Sequence, residues 1–156
     1  MKFYVDNMLG RLARWLRILG YDAVYSKTGI KWADIQTDRT LTSEIIILTR
    51  NTRLYKNIGT RRALFIKDDH FRLQIRQVVQ ELGLHFQENI FLSRCVECNI
   101  PLSPIKKEKI ESRIPEYVFQ IQRNFYQCTQ CKRIYWPGTH YFQMENEIKS
   151  FWRKES

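Results

Sequence analysis

The chain has 156 residues, 44% of them hydrophobic and 13% aromatic, and a formal net charge of +10. That length allows one domain with a small appended module, and the apolar content is enough for a packed core, which excludes a disordered chain. The positive excess points to polyanionic partners, and no apolar run is long enough to span a bilayer.

The first residues, MKFYVDNMLGRLARW, put an acid and several arginines where a secretory signal would carry an unbroken apolar stretch, so a soluble cytoplasmic protein is expected. KFYVD reads as a short strand ending at Asp6. Leu9, Leu12, Leu16 and Leu19 then recur at helical spacing, and Gly20 stands where a glycine would end that helix. DAVYS is a second strand, and ADIQTDRTLTSE (33–44) a helix. IIILT is a continuous β-branched run, the pattern of a strand buried on both faces. A short helix follows near 52–57, then a strand at ALFIK and an amphipathic helix from Phe71 to Leu82, stopped by Gly83. Strand alternating with helix predicts βαβ units and a mostly parallel α/β sheet flanked by helices, with the strand C-termini along one edge.

Polar residues gather at those strand ends. Asp6 closes the first strand, Asn51 follows the third, Asp68 and Asp69 follow the fourth, and Asp34 sits near a helix start. Oxygen ligands converging from several segments suit Mg²⁺ or Mn²⁺, which can activate water and stabilise phosphoryl oxygens. Each residue taken alone also fits a turn or N-cap.

Cys95-x-x-Cys98 and Cys128-x-x-Cys131 are separated by 29 residues. Paired knuckles of this spacing fit a four-thiolate structural zinc site, with two disulfides or two redox pairs as alternatives. The long interval requires an excursion, and the segment SPIKKEKIESRI (103–114) looks helical. The expected organisation is an α/β domain at 1–90 and a zinc module at 91–156 that ends in a helix, YFQMENEIKSFWRK.

Arg11, Arg14 and Arg17 recur every three residues beside Asp6, and Arg50 and Arg53 flank Asn51. Arginine binds phosphate bidentately, and aromatics such as Tyr117, Phe119, Phe125, Tyr126, Tyr135 and Trp136 can stack unpaired bases. These five arginines are the candidate RNA contacts. His140, before the last helix, fits a junction cap better than a catalytic group.

The stretches DNMLGRLARWLRILGYD, ILTRN, SRCVECN and RIYWPGTHY together resemble the Mut-7 C-terminal RNase domain family over nearly the whole chain. The resemblance implies a PIN-like nuclease domain with a C-terminal zinc ribbon and a metal-dependent ribonuclease acting on RNA, single-stranded by expectation. Asp6 matches the acid after the first strand, Asp34 (or Asp38) the acid of the second helix, and Asp69, better than Asp68, the late acid. The family's third acid follows LTR, where this chain carries Asn51. Asn51 can offer a carbonyl oxygen but no charge, so the alternative is a non-catalytic RNA-binding zinc protein.

Overall fold

The computed structural model describes residues 1–38 and 44–152. Four parallel strands, β1 (Lys2–Val5), β2 (Asp22–Tyr25), β3 (Ile45–Thr49) and β4 (Ala63–Phe65), lie in the order β2-β1-β3-β4. Register runs from Lys2 opposite Asp22 and Ile45, and from Ile47 opposite Ala63. Four helices alternate with the strands or follow them: α1 (Gly10–Ile18), α2 (Trp32–Thr37), α3 (Thr52–Ile58) and α4 (Phe71–Glu81). Thr37 ends α2 well before the end of the helix expected over 33–44, and residues 39–43 lie outside the described residues.

The β3 run IIILT sits centrally because strand alternation supplies apolar side chains to both faces. Phe3, Val5, Ala23 and Leu48 face one layer with Leu12, Leu16, Ile75 and Val78 from α1 and α4. Ile47 and Ala63 face the other with Ile35 of α2 and Leu54 of α3. The chain passes from β1 to β2 on one side and returns past β1 to β3 on the other. Strand order therefore reverses between β1 and β3, and the crevice at their C-terminal ends is the topological switch point of the sheet.

A second, antiparallel sheet of β5 (Ser103–Ile105), β6 (Phe125–Gln127) and β7 (Ile134–Tyr135) carries the Cys128–Cys131 turn between β6 and β7, and the Cys95–Cys98 turn precedes it, closed by a bridge between Arg94 and Pro101. The segment 103–114 is not one continuous helix: Ser103–Ile105 is β5, and two single-turn 3₁₀ helices at Lys107–Lys109 and Glu111–Arg113 follow. Pro104 sits within β5, an edge strand of the second sheet, where proline is tolerated. Ile110 and Ile114 are carried inward to meet Val118 of α5 (Glu116–Ile121) and Phe125, forming a small third core. The last helix, α6 (Thr139–Phe151), follows this module in sequence but packs on α4, and its Ile148 and Phe151 enter the main core.

Gly20 ends the α1 turn at φ +90°, and a Cβ built there would lie 2.1 Å from the carbonyl oxygen of Ile90. Gly83 also has positive φ, +60°, but nothing lies within 4 Å of its would-be Cβ. Gly20→Ala is therefore expected to cost at least ~2 kcal/mol in denaturant titrations, because backbone must move as well as strain. Gly83→Ala should cost only the left-handed backbone term, roughly 1–2 kcal/mol.

Candidate functional site

Asp6 is the one buried acid among the described residues, and it stands at the switch-point crevice. Its Oδ1 accepts from the backbone N–H groups of Asn7 and Ile30, each at 2.9 Å, and its Oδ2 accepts from the Thr49 hydroxyl at 2.6 Å. Thr49 is fully buried at the end of β3, so this bond crosses from β1 to β3 where their carboxyl ends diverge. The same hydroxyl oxygen accepts from the N–H of Asn51 at 3.0 Å. Asn51 is the N-cap of α3, and its Oδ1 accepts from the Leu54 N–H at 3.0 Å.

Asp34 lies in the first turn of α2, after the loop that carries Ile30. Asp68 closes a turn by accepting from the His70 N–H. The loop through Asp69 is held from beneath by buried Gln74, whose amide donates to the carbonyls of Asp68 and Asp69. Arg50 and Arg53 flank Asn51; Arg50 donates to the Ile66 carbonyl and Arg53 is exposed on the first turn of α3. Thr49 and Gln74 were not legible as site residues. Thr49 reads as one more β-branched strand position, and Gln74 as the polar face of a helix.

Arg17 corrects one expectation. It is buried, at 8% exposure, and donates to the carbonyls of Ala23, Val96 and Glu97 at 2.7 to 3.0 Å. At 100° per residue, each three-residue step swings a side chain 60° around the helix, so Arg17 lies about 120° from Arg11 and points inward. Burial lowers its pKa, and the nearby Glu97 partly restores it.

Among the described residues the four cysteines form the one group of three or more His, Cys, Asp or Glu that could hold a metal ion. All four sulfurs lie within 4.8 Å of one another, and Cys95 and Cys131 are 3.7 Å apart. A tetrahedron with Zn–S bonds of about 2.3 Å has edges of about 3.8 Å, so the set fits Zn²⁺. The two knuckles repeat each other. Cys98 N–H donates to Cys95 Sγ, and Cys131 N–H to Cys128 Sγ, both at 3.4 Å. Asn99 and Lys132, each one residue on, take φ of +63° and +64° and donate to the carbonyls of Cys95 and Cys128.

Burial pushes the Cys95 thiol up. Hydrogen bonds from the Tyr135 hydroxyl and from backbone N–H groups outweigh it and bring it to about 7. Burial and the neighbouring sulfurs push Cys98 up to about 12. Burial also raises Tyr135, which stays a phenol, 3.3 Å from Cys95 Sγ, and accepts from the Val96 N–H.

The sequence model of the Mut7-C RNAse domain family matches residues 1–148. No curated protein and no solved structure matches the chain.

One zinc per chain is expected by elemental analysis, and chelation should lower the melting temperature. Thiols must lose protons to bind the ion, so lowering the pH below neutral should release zinc to a chromogenic chelator. Tyr135→Phe removes the O–H donor to Cys95 and should weaken zinc binding by roughly 10- to 100-fold, read by chelator competition.

Proposed function

The chain belongs to the Mut7-C RNAse domain family, and we propose that it is a divalent-metal-dependent ribonuclease whose chemistry is centred on Asp6 at the C-terminal edge of the parallel sheet. The observation that carries this reading is the placement of the one acid buried among the described residues at the switch point, where open α/β sheets hold their ligands. Asp34 in the first turn of α2, Asn51 at the start of α3 and Asp69 after β4 are the further candidates for the catalytic rim.

The donor set suits Mg²⁺ or Mn²⁺ in a particular way. Asp6 Oδ1 already accepts two hydrogen bonds, but Oδ2 accepts one and keeps a lone pair, and Asn51 Oδ1 has one beyond its bond to Leu54. Mg²⁺ commonly binds through one or two carboxylates, water and substrate phosphates rather than in an all-protein cage. When bound, such an ion lowers the pKa of water and neutralises charge on the phosphodiester. The chain's own part is to orient: Thr49 fixes which lone pair of Asp6 Oδ2 faces out, and Arg50 and Arg53 neutralise phosphates beside it. The zinc is structural, because four thiolates leave no open coordination position. Reduced cysteines fit a reducing compartment such as the cytoplasm.

Asn51 supports a second reading, an RNA-binding zinc protein without turnover. It stands where the family pattern has an acid, and its side chain caps α3.

With single-stranded RNA and Mn²⁺, Asp6→Asn is expected to remove cleavage. Thr49→Val, which deletes only the orienting hydroxyl, should reduce it roughly 10- to 100-fold. Equal residual cleavage by wild type and Asp6→Asn would sink the nuclease reading. Asn51→Asp should preserve stability, since Asp caps a helix as well as Asn does. Faster cleavage by this variant identifies the missing charge as the limit on metal binding, and no cleavage by either protein supports the second reading.

A further inference from the structure

A groove of about 950 Å³ runs between α1, the loop 88–96, the zinc module and the start of α6. Its walls include Arg11, Arg14, Tyr117, Tyr126, Ile121 and Trp136. Trp136 packs against the third core, but the two tyrosines do not. Tyr117 and Ile121, one turn apart on α5, are 67% and 68% exposed, and Tyr126 on β6 is 39% exposed. By contrast Phe125 is buried, and Phe119 lies under the ammonium of Lys107. Two arginines of the groove, Arg14 and Arg133, share a single acid, Glu97, at 2.8 and 3.4 Å. Arg11 pairs with no carboxylate among the described residues and rests over the Phe71 ring at 5.0 Å. Glu88 also lines the groove, so three arginines face two acids, and the wall keeps net positive charge beside exposed π faces.

We propose that this groove binds a short unpaired stretch of RNA, with bases stacked on Tyr117 and Tyr126 and phosphates held by Arg11 and Arg14. Exposed aromatic faces next to guanidinium groups match a polyanion with unstacked bases. A duplex hides its bases and would meet only the arginines. A neutral apolar peptide would fill the aromatic wall and leave the charge unmatched. The position along α1 gives the strand a direction. Arg11 and Arg14 line the groove, and Gly10, the first residue of α1, comes four residues after Asp6. A strand lying in the groove can thus continue along α1 to the switch-point carboxylate. The identity of the strand as RNA rests on the ribonuclease reading, but the binding does not require catalysis.

The test is fluorescence anisotropy of a labelled oligouridine and of a labelled RNA duplex, on the zinc-loaded full chain without added Mg²⁺ or Mn²⁺. The single strand is expected to bind more tightly. Tyr117→Ala and Tyr126→Ala should each weaken it by roughly tenfold, Tyr117→Phe should restore it, and duplex binding should hardly change. Arg11→Ala should lower the salt slope by about 0.7. Equal affinity for both RNAs, with no effect of the tyrosine variants, overturns the proposal. Should a variant fail to fold, 4-thiouridine crosslinking of the unaltered chain decides. Crosslinks in 117–141 support the groove, and crosslinks confined to the rim loops overturn it. Loss of cleavage with this binding intact would leave the groove standing and remove only the nuclease reading.

Discussion

A carboxylate removed from water has to be compensated where it stands, and Asp6 sets the geometry of everything around the sheet edge. Taking a lone charge out of water costs far more than one hydrogen bond returns. The chain meets that cost with three donors from three segments: the turn after β1, the loop before α2 and the end of β3. Each segment is then fixed relative to the others by the same charge. The Thr49 hydroxyl passes the constraint on, since its oxygen accepts from Asn51 N–H at the start of α3. The carboxylate that best fits a ligand site is thus also the tie that forms the crevice, and a substitution at Asp6 acts on both.

The second constraint is the open side of β2. That strand pairs with β1 alone, and an edge strand invites unwanted pairing. The first cysteine knuckle covers it. Asn99 accepts from the Ala23 N–H and donates to Asp22 Oδ1, and Arg17 reaches past Ala23 to the carbonyls of Val96 and Glu97. Arg94 adds bonds to Gly20 and Asn99 carbonyls. Asn99 can do this only because the knuckle holds its backbone at positive φ, a conformation that asparagine tolerates better than most residues. The cysteine-bearing turn, which could hold a metal ion, therefore also serves as the missing neighbour of β2.

The layered α/β fold was legible because its signals are periodic. Leucines at three and four, and a run of β-branched residues, report directly which faces are buried. The cysteine pairs were legible because their spacing encodes a turn. What stayed hidden was decided by three-dimensional company. Arg17 looks like Arg11 and Arg14 in a three-residue series, yet the helix carries it inward onto backbone carbonyls. Thr49 carries no signal that separates a strand end from a carboxylate partner. The 103–114 segment has helical-looking charge alternation, but pairing with β6 and the demands of a small apolar core divide it into a strand and two tight turns. The packing of α6 on α4 rather than on the module beside it in sequence depends on Ile148 and Phe151 finding the larger core.

These points converge on α1. Its start follows the Asp6 carboxylate, its buried Arg17 grips the first knuckle, and its exposed Arg11 and Arg14 face the aromatic groove. A nine-residue helix spans only about 13 Å, so the rim, the metal-bearing turn and the groove are held within a few nucleotides' reach of one another. One element carries all three, and the first cysteine knuckle fixes how α1 meets β2 through Arg17 and Asn99. Loss of zinc would then act on RNA handling through the placement of α1 as well as through the stability of the module.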